Sequence, residues 1–295
     1  MCRLFGLLGS PVTPAEEWLV TSERSLLAQS NPPGATAQTD GWGIAWFPST
    51  RTPRVEKGVG GAFEPGERDR FIAAAKAARG PVVLGHLRHA SNPMRLPKER
   101  LLGLENSQPF RHGSILFAHN GSIPFPRQTR PSLGKFEENV QGVNDSEVLF
   151  WLLVRRTEET GDPLQAYAWA VDELTQIWRA NGTPPEGPYT ALNVLFSRGP
   201  NELWAFCHWN GEHGAALLDP TRKYYQMAYT ADSKQAIIGS EPFTTGGTEW
   251  RNLNNGEFLQ AQVSHGLVAV RTGPIPLFDR TAHRPPAGAA STPRA

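Results

Sequence analysis

"NDSEVLFWLLVRRTEETGDPLQAYAWAVDELTQIWRANG" fills residues 144–182, near the middle of a 295-residue chain. Its apolar residues return at helical spacing in two blocks. Asn144 and Asp162 stand at N-cap positions, with Glu147 and Gln165 three residues on, and Gly161 and Gly182 close the blocks. The stretch therefore predicts two consecutive helices. What surrounds it reads differently. Upstream lie "DGWGIAWF" (40–47), "PVVLGHLRHAS" (81–91) and "SILFAHNGSI" (114–123), short apolar runs rich in aromatic and β-branched residues. Downstream, "YTALNVLFSRG", "NELWAFCHW", "YYQMAYTAD", "QAIIGSEPF" and "EFLQAQVSHGLVAVR" continue in the same manner from 189 to 271. Strands, a helix pair and more strands predict an α+β fold of antiparallel sheets, not a parallel βαβ array.

Two further helices are expected. "TPAEEWLVTSERSLLAQS" (13–30) offers Thr13 as a cap, Pro14 at the first helical position and Glu16 to complete a capping box. "GERDRFIAAAKAARG" (66–80) reads as a helix ending at Gly80. There is no internal repeat. "HRPPAGAASTPRA" (283–295) has no hydrophobic period, so the expected organisation is one domain over 1–275 and a disordered Pro/Ala-rich tail over 276–295.

Composition narrows the function. With 39% hydrophobic and 19% charged residues the chain reads as globular, and 29 basic against 28 acidic side chains leave a charge of +1. Such balance gives no field to attract nucleic acid or an anionic membrane. Apolar runs are too short to span a bilayer, and the glycine-broken N-terminus is not a signal peptide. Two distant cysteines make no disulfide framework. A cytoplasmic location is the expectation.

Four places can hold chemistry. Cys2 becomes the terminal residue once Met1 is removed, and a free α-amine with a pKa of about 8 then lies beside its thiol as a usable base. Acyl transfer also needs donors for an oxyanion. Asn120 and Gly121, ending an apolar run, can present a carboxamide and a backbone N–H to one oxygen. Arg88, ending another run, can hold a carboxylate with two parallel bonds. Asp145, near a helix start, can pair with an ammonium. Taken singly, each has a structural reading: a buried cysteine, an Asn-Gly turn, a surface arginine, a helix cap.

Taken in order, "MCR", "GHLRHAS", "NSQPF" (106–110), "AHNGSI" and "DSE" (145–147) resemble the class II glutamine amidotransferases. "DGWGIAW" and "GSEPF" (239–243) look like loops of their small stand-alone members. The resemblance spans roughly residues 1–270. It implies the four-layer αββα sandwich of N-terminal-nucleophile hydrolases, with Cys2 as nucleophile and Asn120 and Gly121 as oxyanion hole. It also implies Arg88 and Asp145 as clamps for the α-carboxylate and α-ammonium of a γ-glutamyl substrate, with His89 beside them among the substrate-binding residues. Glutamate and ammonia, or an amine, would be released through a Cys2 thioester, with no cofactor or metal. No P-loop or glycine-rich phosphate loop is found, and the chain beyond the glutaminase region is too short for a synthase domain. The expectation is a stand-alone enzyme that either hydrolyses a γ-glutamyl amide or supplies ammonia to a separate synthase. "MCR", "DGWG" and "DSE" are similar to the ergothioneine-pathway γ-glutamyl hydrolase branch, whereas "ENSQPF" and "NPMRLPKERLLGLENS" (92–107) are more like generic members. A cysteine amidase on another acylated amide and a non-catalytic scaffold are the alternatives.

Three other features read as structural. Cys207, His208 and His213 cluster in "CHWNGEH" without the partner spacing of a metal site. His86, His89 and His119 flank the candidate site, where packing, or support of the residues that touch substrate, is the expected role. Trp151, Trp169 and Trp178 fall in helical apolar patterns and are expected in the core.

Overall fold

The computed structural model describes residues 2–48, 52–92, 94–182 and 187–278. In chain order the strands are β1 (Arg3–Pro14), β2 (Trp42–Trp46), β3 (Arg54–Gly58), β4 (Arg79–Leu87), β5 (Phe110–His112), β6 (Ile115–Gly121) and β7 (Leu192–Ser197). They continue with β8 (Glu202–Cys207), β9 (Met227–Ala231), β10 (Gln235–Gly239), β11 (Arg251–Leu253), β12 (Glu257–Ser264) and β13 (Leu267–Pro274). The α-helices are α1 (Glu67–Ala77), α2 (Lys98–Leu101), α3 (Pro126–Thr129), α4 (Asp145–Thr160) and α5 (Pro163–Asn181). One sheet runs β11-β9-β10-β1-β4-β2-β3 and the other β13-β12-β8-β7-β6-β5, with antiparallel pairing throughout.

Strand alternation sorts the apolar side chains into three cores. On β1, Leu4 and Leu8 point between the sheets, while Phe5 and Leu7 point outward beneath α1. On β6, Leu116 and Ala118 join the space between the sheets, and Phe117 packs under α4 and α5. The layers are therefore helix, sheet, sheet and helix, the four-layer sandwich the sequence implied. Burial of each large side chain in these cores contributes about 1.5–3 kcal/mol. Polar contacts tie the helix layer to its sheet: the Tyr167 hydroxyl donates to the Leu192 carbonyl at 2.6 Å, and its ring stacks on Phe206 at 4.1 Å.

The helix pair keeps its expected ends. Asn144 accepts from Ser146 N at 2.9 Å, Asp162 from Leu164 N at 3.0 Å, and Gly161 and Gly182 adopt φ of 72° and 67°. Only glycine takes that conformation without strain. Glu147 does not close the capping box; its carboxylate accepts from Gln141 N and Gly142 N at 2.9 and 2.7 Å.

Other expectations are corrected. Residues 13–30 do not form a helix. Thr13 and Pro14 still belong to β1, opposite Gly80 and Arg79 of β4, and only one turn of π-helix (Glu17–Thr21) and one of 3₁₀-helix (Ala28–Ser30) follow. Sheet pairing outweighs a local capping signal here. Helix α1 stops at Ala77, short of Gly80, because β4 already begins at Arg79. Trp151 is in the core and Trp178 packs partly against it, but Trp169 is exposed, covered by Arg156 at 5.1 Å and Phe278 at 5.8 Å. Apart from 276–278, the expected tail lies outside the described residues.

Candidate active site

Each candidate residue stands at the same end of the two central sheets, where β1, β4 and β6 meet the N-terminus of α4. Cys2 directly precedes β1 and has the parity of Leu4, so its side chain belongs to the space between the sheets. Its thiol donates to the His89 carbonyl across 3.6 Å, within the reach of a sulfur donor. Burial pushes the thiol above its ordinary value, opposed by the positive charges of the amino end and Arg88.

Arg88 follows β4. Its guanidinium Nη1 donates to the carbonyls of Asp40 and Leu101 at 3.1 and 2.8 Å, which fixes the plane of the group. Among the described residues nothing accepts from Nε or Nη2, although the residue is only 4% exposed. Asp145 opens α4 without capping it, since Asn144 does that. One of its oxygens accepts from Ile123 N at 2.6 Å. Burial pushes its carboxyl up, and the amides of Ile123 and Ser146 hold part of that shift back.

Asn120 shares the face of Leu116 and Ala118, so its carboxamide also enters the space between the sheets. Its Oδ1 is buried without a hydrogen bond, and among the described residues nothing bonds to the carboxamide at all. Gly121 has a different constraint. A Cβ there would stand 1.8 Å from the Ala191 carbonyl, so any side chain would force β6 away from the adjoining chain.

Cys2, Arg88, His89, Gly121 and Asp145 line one cleft; Asn120 is not on its lining but adjoins Gly121 in the chain. His89 contributes its carbonyl to the Cys2 contact, and its ring lies 3.9 Å from the Asp40 carboxylate. Burial lowers the pKa of that ring. The arrangement can hold an acyl group at a thiol, donate to an oxyanion, and bind one carboxylate and one ammonium.

Several supporting residues went unnoticed in the sequence. The Arg3 guanidinium and the Glu241 carboxylate form a fully buried pair at 3.3 Å, and Glu241 also accepts from Leu217 N and Leu218 N at 2.8 Å each. With Leu4 N donating to the Ser240 hydroxyl at 3.0 Å, this pair anchors the strand that carries Cys2. Asp40 accepts from Ala90 N at 2.8 Å and orders the turn after Arg88. Asn106 accepts from Val143 N at 2.8 Å, steadying the approach to α4. Gln108 makes two bonds to the backbone of His119, at 2.6 and 3.2 Å. "NSQPF", "DGWG" and "GSEPF" were the sequence signal for these, but their partners lie too far away in the chain to be read.

His119 is a packing residue with a definite task. Its Nε2 meets the Ala191 carbonyl at 3.1 Å, which can only accept, so Nε2 carries the proton and Nδ1 accepts from the Ser146 hydroxyl at 2.9 Å. Burial lowers its pKa to about 4 and that of His86 to about 3, so both rings are neutral at pH 7. In the "CHWNGEH" stretch the Cys207 thiol meets the Tyr225 carbonyl, His208 meets the Tyr189 hydroxyl, and His213 meets the Asn210 carbonyl. The three face separate partners, and no metal-sized group of His, Cys, Asp and Glu occurs among the described residues. No described helix is long and apolar enough to cross a membrane.

Comparison with known proteins follows the same lines. The sequence model of the class-II glutamine amidotransferases matches residues 1–281. No curated protein matches the chain significantly. Among solved structures, the chain is similar to a glutamine aminotransferase class-II domain protein from Silicibacter pomeroyi, 23% identical with a TM-score of 0.60 over 92% of this chain and 98% of that one. It is also similar to the glutamine phosphoribosylpyrophosphate amidotransferase from B. subtilis, complexed with ADP and GMP. That match is 19% identical with a TM-score of 0.54, over 92% of this chain but only 49% of that one. At these identities the likeness is one of fold.

Proposed function

The chain belongs to the class-II glutamine amidotransferases, and from that premise we propose that it cleaves a γ-glutamyl amide through a thioester on Cys2. The observation that carries the proposal is the convergence of Cys2, Arg88, Gly121 and Asp145 on one cleft. The unbonded Asn120 carboxamide stands beside it.

In this reading Met1 is removed, and the α-amine of Cys2 takes the thiol proton. An amine with a pKa of about 8 suits that task near neutrality. It is needed because burial raises the thiol. The thiolate attacks the amide carbon, and the resulting oxyanion receives the Asn120 Nδ2–H and the Gly121 N–H. As the C–N bond breaks, the protonated α-amine returns its proton to the departing nitrogen, and ammonia or an amine leaves. Water, deprotonated by the same amine, then attacks the thioester carbon. Glutamate departs and the thiol is restored.

Arg88 and Asp145 act at the other end of the substrate. The free Nε and Nη2 of Arg88 suit the two oxygens of an α-carboxylate. The buried Asp145 carboxylate suits an α-ammonium, and no simple acyl group would need such a pair. His89 lines the same cleft and meets Cys2 through its carbonyl. The test is glutamate release from glutamine and from a panel of γ-glutamyl amides, with wild type and Cys2→Ala compared. Turnover by wild type and none by a folded Cys2→Ala variant is expected. Undiminished turnover by Cys2→Ala, or none by wild type on any γ-glutamyl amide, would overturn the proposal.

A further inference from the structure

Beside the cleft lies a second recess that shares Met94, Pro126, Val143 and Asn144 with it. Its charged lining is all of one sign: Arg100, Arg127 and Arg130, with no aspartate or glutamate. Arg100 belongs to α2, Arg127 to α3, and Arg130 follows α3 directly. Among the described residues the side chains of Arg100 and Arg127 make no hydrogen bond or ion pair, and Arg130 only approaches Glu137 at 4.0 Å.

Arg127 and Arg130 are three residues apart on one helical path, a spacing at which like charges repel. Among the described residues only Arg130 has an acidic neighbour, Glu137 at 4.0 Å, so Arg100 and Arg127 keep their charge uncompensated within the fold. An anion entering the recess would find arginine on two separate elements of its lining and no acid there. Its place along the substrate follows from chemistry. With the α-carboxylate and α-ammonium engaged by Arg88 and Asp145, only the substituent on the amide nitrogen is free to extend into a neighbouring recess.

We propose that the recess lined by Arg100, Arg127 and Arg130 is a subsite for a carboxylate or phosphate-type group on the amine half of a γ-glutamyl amide. This rests on the γ-glutamyl amide reading of the adjoining cleft. An arriving amine that attacks the thioester must pass through the same position as a departing one, so the subsite serves either direction.

The test measures kcat/KM for glutamine and for the γ-glutamyl amides of methylamine, glycine and aminomethylphosphonate. It compares wild type, Arg127→Gln/Arg130→Gln and Arg100→Gln, at low and high salt. Partly exposed charge pairs each supply a few-fold at most, so wild type should favour an anionic amide over the methylamide by roughly tenfold at low salt. The preference should shrink at high salt. It should fall to within about twofold in the double variant, with glutamine turnover unchanged. Preference for glycine or for phosphonate tells which anion the site takes. The single variant, on a separate element, decides the matter should the double variant not fold. Equal kcat/KM for neutral and anionic amides in wild type, or a preference that survives the substitutions, overturns the subsite while leaving glutamine cleavage intact. Failure of every γ-glutamyl amide instead overturns the parent reading, and the subsite with it.

Discussion

Replacing Asp145 by Asn separates the substrate clamp from the scaffold. Asn keeps an oxygen to accept from Ile123 N, now at 2.6 Å, and Asn144 remains the cap of α4. What disappears is the charge. Removing one partner of a buried, hydrogen-bonded ion pair costs about 3–5 kcal/mol. At about 1.4 kcal/mol per tenfold, that is roughly 10²- to 4 × 10³-fold in kcat/KM for glutamine. A glutamine analogue lacking the α-amino group never made the pair and should lose only a few-fold at most. Stability should move the other way. Burial raises the Asp145 carboxyl in the fold, so this group favours folding most below its unfolded pKa, and the contribution is lost as pH rises through the folded value. At pH 7 the buried carboxylate is a cost that Asn removes, against a small favourable term at the helix N-terminus. The melting temperature of Asp145→Asn should therefore match or exceed that of wild type. The same raised carboxyl makes wild-type kcat/KM for glutamine decline with acid at a pH above the ordinary carboxylate range. The assay is steady-state kinetics on both substrates, with calorimetry of both proteins. An equal penalty on glutamine and the des-amino analogue, together with a lowered melting temperature, would make Asp145 a scaffold residue and refute the clamp.

Other outcomes follow from the same geometry. Asn120→Ala should lower kcat for glutamine by about 10²–10³ with a smaller change in KM, as the loss of one oxyanion donor does; an unchanged kcat would reduce Asn120 to a turn residue. Glu241→Gln leaves the buried Arg3 without its counter-charge, for about 3–5 kcal/mol. At about 2 °C per kcal/mol this is a melting-temperature drop of roughly 6–10 °C by calorimetry, whereas a drop under about 1 °C would deny the pair its anchoring role. His86, His119 and His208 have pKa values lowered by burial to about 3, 4 and 4. They contribute stability that is complete above the unfolded histidine value near 6.5 and lost as pH falls below it, by roughly 3 kcal/mol for each of the latter two at pH 4. Melting temperature should therefore fall steeply between pH 6.5 and 4, and a flat profile there would contradict their neutral burial.

The helices at 145–160 and 163–181 were legible because their ends are written locally: Asn144 and Asp162 cap, and Gly161 and Gly182 stop. The apolar strands were legible as runs, and with the helix pair between them they gave the fold class, whereas β3, β5 and β11 are short and polar and left no such run. The candidate site was legible through short stretches at strand ends, where a polar residue follows an apolar run, as Arg88 follows β4 and Asn120 and Gly121 close β6. Residues 13–30 were misread because Thr13 and Pro14 carry a local helix-start signal, while their strand partners, Gly80 and Arg79, are more than sixty residues away. The Arg3–Glu241 pair, 238 residues apart, has no local signature. Trp169 follows the helical period but stands at the edge of the apolar stripe, where Arg156 and not the core covers it. The arginine recess escaped for the same reason: α2 and the segment after α3 meet only in the fold.

The central claim is that Cys2, freed of Met1, is the nucleophile of a γ-glutamyl site. Its most direct test is intact-mass measurement and peptide mapping of the active enzyme after treatment with 6-diazo-5-oxo-norleucine, a glutamine analogue with an electrophilic ketone. The account predicts a chain beginning at Cys2, one adduct on that residue, loss of turnover in proportion to labelling, and protection by glutamine. An adduct on Cys207, no adduct at all, or full turnover from a chain that still carries Met1 would contradict it.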